Sequence, residues 1–162
     1  MNVETFEGLR KSALDHYWFP ATPWEDISAE GGMRIITEGK GVKLKDIHGN
    51  WYHDAFAGLM LVNVGHGREE IAQAVGRQLS TLHYAATIGN TPTPPAIELA
   101  KKVASLTPGD LNHVYFTSGG SEAVDAAIRI AYQYHSNKGE PGRTKFIART
   151  GSYHGVSMGA LG

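Results

Sequence analysis

Residues 113–135 read HVYFTSGGSEAVDAAIRIAYQYH, and this stretch decides the fold. Its first five residues are mostly apolar and predict a buried strand over 113–117. Serine and glycine then form a turn over 118–121, because these residues interrupt regular structure. A helix is predicted over 122–135. Its apolar face is formed by Val124, Ala127, Ile128 and Ala131.

A second strand is predicted at 145–148, after a loop over 138–143. Strand, helix and strand at this spacing form a βαβ unit, whose two strands lie parallel in one sheet. A single unit leaves both sheet edges open, so we expect further strands from sequence outside this chain. The predicted fold class is therefore α/β, with a mostly parallel sheet flanked by helices.

Upstream of this unit, the chain predicts helices and a small antiparallel meander. The strands of the meander are predicted at 33–37, 42–46 and 50–54, with glycine-containing turns between them. Helices are predicted at 3–16, 68–84 and 96–106 from apolar residues at helical spacing. We expect an amino-terminal segment with the meander at 1–60, as part of a small domain, and the start of a large domain at 61–162.

The composition indicates an ordinary globular protein without a charge-driven partner. The formal net charge is −1, so neither nucleic acid nor a membrane surface is expected as a partner. There are no cysteines, which excludes disulfides and thiolate metal sites. The histidines lack metal-ligand spacing, so no metal site is expected. No apolar run resembles a signal peptide or a membrane span, and a cytoplasmic location is expected.

The turn over 118–122 could hold a phosphate. Its glycines allow close approach to the main chain, and the helix behind it offers free N–H groups and the positive end of its dipole. The Ser121 hydroxyl could add a hydrogen bond as well as cap the helix. A simple helix cap is the commoner role for such a turn. Neither a P-loop nor a dinucleotide-binding glycine pattern is present.

A second glycine-bounded turn strengthens the interpretation of the first as a phosphate site. Residues 151–155 read GSYHG and follow the second predicted strand, so both turns are expected at the carboxyl edge of the sheet, where ligands bind. Tyr153 would offer an aromatic ring for stacking on a flat heterocycle. Without the first turn, a core or surface tyrosine would be the better interpretation. Together, the two turns suit a planar cofactor that carries a phosphate.

From about Trp18 to its last residue, the chain resembles the class III aminotransferases of fold type I. It is close to their branch that acts on ω-amino acids, amines and polyamines. No single motif is decisive, but together, in order and at family-like spacing, they are highly specific. The motifs are DIHGN at 46–50, DAFAGL at 54–59, VNVGHG at 62–67, FTSGGSEA at 116–123 and YHG at 153–155.

The resemblance implies that pyridoxal 5'-phosphate is the cofactor. Gly120 and Ser121 would hold its phosphate, with Gly119 beside them. Tyr153 would stack on its ring, and His154 would order the adjoining turn. Gly119 stands where the family often has serine, which removes one hydroxyl but leaves the backbone donors.

The resemblance also implies a substrate pocket shared by two subunits of a homodimer. Leu59 and Met60 would line it, and Ile88 lies on the segment 84–90 that would reach the neighbouring subunit's site. Ala21 is a further pocket position. Met60 and Ala21 stand where many amine-specific members have tryptophan and phenylalanine, so the amine donor and keto-acid acceptor cannot be named.

The family's Schiff-base lysine follows the Tyr-His-Gly motif at a distance, so it is expected beyond residue 162. None of the lysines here stands in its context, and this chain alone is expected to be inactive. The function implied for the full-length protein is transfer of an amino group from an amine or ω-amino acid to a keto acid. The alternative is a truncated relative that acts as a binding or interaction protein. An unrelated phosphate-ester binder would need a lysine or a ribose-binding acid that is not found.

Overall fold

The computed structural model describes residues 6–161 and divides into two compact units. The first unit extends to Tyr84 and the second begins at Ala85. The domain boundary expected between residues 60 and 61 stays a prediction. Within residues 6–161, no helix combines the length and the apolar character needed to cross a membrane.

The first unit opens with two helices. Helix α1, Phe6–His16, confirms the helix predicted at 3–16 over the described part of that range; residues 3–5 lie outside it. Helix α2, Trp24–Ser28, was not predicted, because it is only five residues long and too short to show a helical period. It begins directly after Pro23, and its Ile27 is buried. The Arg10 guanidinium donates a 2.7 Å hydrogen bond to the Ser28 carbonyl and ties α1 to the end of α2.

The antiparallel meander is confirmed. Strands β1 Ile36–Lys40, β2 Lys43–Asp46 and β3 Trp51–His53 pair in the order β1-β2-β3. The first strand begins later than predicted and contains an irregular register between Ile36 and Glu38. The chain reverses after β1 at Gly41, whose φ of +56° favours glycine.

A buried carboxylate closes the second turn of the meander. Asp46 ends β2 and is 4% exposed. Its Oδ1 accepts hydrogen bonds from the backbone N–H groups of His48 (3.0 Å) and Asn50 (2.8 Å). Its Oδ2 accepts from the Asn50 amide (3.1 Å) and the Tyr52 hydroxyl (2.7 Å). Burial raises the pKa of Asp46, but these hydrogen bonds outweigh it and bring the pKa to about 2.

Two further elements complete the first unit. The turn α3, Ala57–Met60, lies in the loop that follows β3 and has left-handed backbone angles. Helix α4, Glu69–Thr81, confirms the helix predicted at 68–84 but ends three residues earlier. The helix ends because the backbone of Leu82 is extended (φ −159°, ψ 107°). Leu82 therefore lies outside the helix, although its spacing from the other apolar residues had placed it on the helix's apolar face.

The second unit contains the two remaining helices. Helix α5, Pro94–Ala104, begins earlier than predicted. Prolines were expected to break the chain there, but proline fits the first turn of a helix, where its missing N–H has no intrahelical partner. Helix α6, Gly120–Asn137, confirms the helix predicted at 122–135 and extends it by two residues at each end.

The strands predicted at 113–117 and 145–148 are not formed. Both segments lie outside regular structure, and the meander is the only sheet among residues 6–161. The first segment is not buried as predicted, since Phe116 is 48% exposed, and in the second segment Ile147 is 99% exposed. A strand exists only when a neighbour supplies its hydrogen bonds, and no described residue does so for these segments.

Much apolar surface remains uncovered in this chain. A compact monomer of 17.5 kDa has an accessible surface of roughly 7,900 Å². The chain exposes 13754 Å² instead. Among described hydrophobic residues, only Ile27, Ala126 and Ala160 are buried, while Ile71, Val75 and Leu79 on the apolar face of α4 are about half exposed. The helices therefore have the amphipathic faces that their spacing predicts, without the elements that would cover them.

The hydrogen bonds of Asp46 predict a stability that depends on acid pH. Because its folded pKa is about 2 and its ordinary value is 3.8, Asp46 stabilises the fold fully above pH 4. That contribution is lost as the pH falls from about 4 to about 2. In thermal unfolding of the full-length protein that carries this sequence, Asp46→Asn should lower the midpoint most at pH 7 and least near pH 2. Asp26→Asn, on an exposed aspartate, is the control. A difference for Asp46→Asn that stays constant from pH 7 to 2 contradicts this prediction.

Candidate functional site

The amino terminus of α6 presents unpaired backbone donors. Gly119 precedes the helix in an extended conformation (φ −171°, ψ 177°), and the first helical hydrogen bond joins the Ala123 N–H to the Gly119 carbonyl at 3.1 Å. The N–H groups of Gly120, Ser121 and Glu122 have no acceptor within the described residues. Three free donors at the positive end of an 18-residue helix suit an anion such as a phosphate.

There is room for a ligand over these donors. A methyl group placed at Gly120 would meet no heavy atom within 4 Å, and the φ of Gly120 lies outside the left-handed region. Neither packing nor backbone conformation therefore requires glycine at position 120. A methyl group at Gly119 would lie 2.9 Å from the Glu122 carboxylate, so this side of the turn is occupied. The open face lies at Gly120, and this geometry fits a phosphate group.

Ser121 does not cap the helix, contrary to the sequence-based expectation. The N-cap position belongs to Gly119, and no side chain caps α6. The Ser121 Oγ instead accepts a 2.9 Å hydrogen bond from the Val156 backbone N–H. As an acceptor in that bond, the hydroxyl still has its own hydrogen to donate to a ligand.

The second glycine-bounded turn packs directly on the first. Gly155 is buried and has a φ of +148°. A methyl group on it would lie 2.7 Å from the Ser121 Oγ and 2.6 Å from the Ala160 Cβ. The structure therefore brings the two predicted turns into contact at Ser121 and Gly155. Tyr153 and His154 precede this contact in the chain and are exposed, and Tyr153 is 80% exposed.

Gly159 also allows the segment 155–159 to pack against α6. A methyl group on Gly159 would lie 2.5 Å from the Asp125 Oδ1, an atom that is buried and has no hydrogen-bond partner. Gly155, Val156, Gly159 and Asp125 were not singled out as site-forming residues by the sequence analysis. Residues 155–159 form no helix, so no helical spacing marks this contact, and it joins residues that are far apart in the chain.

Leu59 and Met60 stand on a turn of unusual backbone. The φ values of Ala57, Gly58, Leu59 and Met60 are 46°, 58°, 63° and 66°, all in the left-handed region. For residues other than glycine this conformation costs roughly 1–2 kcal/mol each. The turn displays Leu59 and Met60 to solvent, with 63% and 67% of each side chain exposed.

The remaining predicted pocket residues fall in both units. Ala21 lies in the first unit, is exposed and has a φ of 51°. Ile88 lies in the second unit, outside regular structure, and is 92% exposed. Exposure makes all four predicted pocket side chains accessible to a ligand or to another part of the protein. No group of three or more potential metal ligands occurs among residues 6–161.

Comparison with known proteins agrees with this geometry. The family model described as Aminotransferase class-III matches residues 27–162. The chain is 50% identical over 127 residues to a probable aminotransferase of Mycobacterium tuberculosis, covering 78% of this chain and 27% of that protein. It is 43% identical over 152 residues to the putrescine–pyruvate aminotransferase of Pseudomonas aeruginosa, covering 91% of this chain and 33% of that protein.

Solved structures show the same relationship. The crystal structure of an (S)-enantioselective ω-transaminase from Thermomicrobium roseum matches 98% of this chain and 35% of that chain, with a TM-score of 0.93 and 40% identity. The chain thus spans about a third of the length of its relatives. The match confirms the predicted fold class, part of a fold type I transferase. On its sequence, its motifs and its fold, the chain belongs to the class III aminotransferase family.

Proposed function

We propose that the full-length protein carrying this chain moves an amino group from an amine or ω-amino acid to a keto acid, using pyridoxal phosphate. The observation that carries the proposal is the contact between the two glycine turns at Ser121, Gly155 and Val156. It joins a set of anion donors to the segment that bears an exposed tyrosine. The names of relatives support the substrate class, since they include a putrescine–pyruvate and a β-alanine–pyruvate aminotransferase.

In this proposal the α6 terminus holds the cofactor's phosphate. The backbone N–H groups of Gly120 and Ser121 and the Ser121 hydroxyl donate to phosphate oxygens. The helix dipole favours the negative charge, and the open face of Gly120 lets the phosphate approach the main chain. Gly119 precedes these donors in extended backbone. When bound, pyridoxal phosphate supplies a ring that withdraws electrons from the carbon bearing the amino group.

The other proposed residues orient the cofactor and the substrate. Tyr153 stacks on the ring, and His154 orders the turn between Tyr153 and the Gly155 contact. Leu59, Met60, Ala21 and Ile88 line the amine pocket. Because the family builds its site at a dimer interface, we propose a homodimer in which Ile88 contributes to the neighbouring subunit's pocket.

A proton carrier is not proposed among these residues. Lysines 11, 40, 43, 101, 102, 138 and 145 are exposed, and the half-buried Lys45 forms a 3.2 Å ion pair with Glu38. None of them lies in an apolar pocket that would activate its amine. The residues described here bind and orient, and the lysine that moves the proton is proposed to come from the rest of the enzyme.

Substitutions at the amino terminus of α6 and at Tyr153 test how the cofactor is held. In the full-length enzyme, Ser121→Ala should weaken cofactor binding about ten- to hundredfold, because a hydrogen bond to a charged group contributes about 1.5–3 kcal/mol. Gly120→Val should weaken it further. A methyl group at Gly120 meets no heavy atom within 4 Å outside the local helix backbone, so a side chain there is expected to obstruct the ligand more than the protein. Tyr153→Ala should cost about 1 kcal/mol of binding and should reduce turnover more than affinity.

The measurement is the cofactor dissociation constant from absorbance, with inorganic phosphate as competitor. Ser118→Ala, on the exposed serine just before the glycines, is the control. If phosphate competes equally well against the wild type and Ser121→Ala after scaling for affinity, Ser121 is not a phosphate ligand. If Gly120→Val binds cofactor as tightly as the wild type, the open face of α6 does not hold the phosphate.

A glycine pair tests the contact between the two turns. Gly155→Ala should weaken cofactor binding by at least about tenfold, because its methyl group displaces the turn from Ser121. Gly151→Ala is the matched control: its φ of +75° is also unfavourable for alanine, but its methyl group meets nothing within 4 Å. It should therefore lower the unfolding midpoint while cofactor affinity changes little. Equal losses of affinity in both variants would show that backbone strain, and not the contact with Ser121, matters.

The isolated chain is expected neither to transfer amino groups nor to form a covalent adduct with the cofactor at one lysine. Residues 1–162 incubated with pyridoxal phosphate and reduced with borohydride should give no stoichiometric adduct at a single lysine by mass spectrometry, and no amino transfer should be detected. The full-length protein, treated in parallel, should give one adduct at a lysine outside this chain. A single stoichiometric adduct at one lysine of residues 1–162 would overturn this expectation.

A further inference from the structure

The left-handed turn α3 needs support from outside itself. Three of its four residues are not glycine, and strained backbone of this kind persists only where the surroundings hold it in place. Its backbone hydrogen bonds run from the Met60 N–H to the Phe56 carbonyl (2.9 Å), from the Leu61 N–H to the Ala57 carbonyl (2.9 Å) and from the Ala57 N–H to the Asp54 carbonyl (3.2 Å). These bonds are local, and the one that reaches back toward the meander ends on Asp54 itself.

Asp54 supplies a connection from the meander to the turn. Its backbone N–H donates to the Val42 carbonyl at 2.8 Å, which fixes Asp54 beside β2. Its side chain is 8% exposed. The Oδ1 accepts the Gly58 N–H at 3.1 Å, inside the left-handed turn. The Oδ2 lies 2.7 Å from the His66 Nε2, at the far end of the same loop. One carboxylate therefore binds both the beginning and the end of the loop.

His66 is itself fixed by the meander. Its N–H donates to the Gly41 carbonyl at 2.8 Å, and the Gly41 N–H donates to the His66 carbonyl at 3.0 Å. The imidazole lies against the backbone of β1, where a methyl group on Gly39 would be 2.8–3.0 Å from its atoms. Both partners of the Asp54–His66 pair are therefore anchored to the sheet, and the turn between them is joined to the sheet through Asp54.

We propose that Asp54 and His66 form a clasp that holds the left-handed turn in place, and that they act as positioning residues for the pocket wall made by Leu59 and Met60. This inference rests on the proposed function. The inference places neither Asp54 nor His66 in contact with the substrate. The clasp sets where the two exposed side chains stand, and so sets which amines fit.

The charge of Asp54 strengthens the clasp. The hydrogen bond to His66 lowers the pKa of Asp54, with further help from the backbone N–H groups of Gly58 and Phe56. The carboxylate is therefore ionised at neutral pH and accepts charge-assisted hydrogen bonds, which are stronger than neutral ones. Replacement of Asp54 by asparagine keeps its size but removes this charge.

The chain offers a matched control for this replacement. Asp46 is a second buried carboxylate in the same meander, and it also accepts hydrogen bonds from two backbone N–H groups and from side chains. Its partners His48, Asn50 and Tyr52 all belong to the β2–β3 hairpin and none to the loop. Asp46→Asn therefore weakens the meander without releasing α3.

The experiment measures kcat and KM of the full-length holoenzyme for a small and a bulky primary amine with pyruvate. Asp54→Asn and His66→Phe should each shift the bulky-to-small ratio of kcat/KM by about tenfold or more, because displacement of a pocket wall changes fit. Cofactor affinity should stay within about twofold, since the hydrogen bonds of Asp54 and His66 described above all fall within residues 41–66. Asp46→Asn should lower the unfolding midpoint and leave the ratio unchanged.

A second variant distinguishes positioning from general destabilisation. Ala57→Gly relieves backbone strain at a position of the turn that is not in the pocket wall. Combined with Asp54→Asn, it should restore most of the wild-type ratio. If Asp54→Asn and His66→Phe lower the unfolding midpoint as Asp46→Asn does and leave the ratio unchanged, the clasp is structural only and the inference is wrong.

Leu59→Ala and Met60→Ala separate this inference from the function on which it rests. If these two variants change the ratio and the clasp variants do not, the pocket assignment stands and the clasp is rejected. If the wild type transfers no amino group from either amine, the proposed function is rejected and the inference falls with it.

Discussion

The hydrogen bond from the Val156 N–H to the Ser121 Oγ, made at 2.9 Å, is the interaction on which the candidate site depends. It joins residues 35 positions apart in the chain. It is possible only because Gly155 has no side chain, so that its backbone can lie against Ser121. The Gly159 contact with Asp125 and the 3.4 Å hydrogen bond from the Ser157 hydroxyl to the Ser121 carbonyl reinforce it, so that the donors at the start of α6 and the segment with Tyr153 lie together. They form one surface.

The meander uses two buried carboxylates for different purposes. Asp46 satisfies its hydrogen bonds within its own hairpin and stabilises a turn. Asp54 directs its two oxygens outward from the sheet, to the beginning and the end of the next loop. A small sheet with little apolar core thus holds both itself and a neighbouring loop through ionised groups that accept several hydrogen bonds each. Charge-assisted hydrogen bonds are stronger than neutral ones, so each of the two carboxylates can hold several groups at once.

The sequence predicted those parts of the fold that depend on local patterns. Apolar spacing predicted α1, α4, α5 and α6, and glycine turns predicted the meander. The strands expected at 113–117 and 145–148 failed because a strand needs a partner, and a local pattern carries no information about whether one is present. The left-handed turn was missed because Ala57, Leu59 and Met60 are not residue types that favour positive φ. At the candidate site the two glycine turns were predicted to lie together and do so, whereas the roles of the glycines and Ser121 stay predictions and the role of Gly155 depends on a long-range contact.

The left-handed turn also restricts how the proposed pocket wall at Leu59 and Met60 can evolve. Side chains branched at Cβ are strongly disfavoured at positive φ, so valine, isoleucine and threonine are poor replacements at Leu59 and Met60. Long side chains that branch later or not at all remain acceptable. Because both residues project into solvent and pack little within this chain, exchanging one such side chain for another disturbs few internal contacts. Selection can therefore vary the reach and shape of the wall from a limited set of flexible side chains, while the backbone that presents them stays the same.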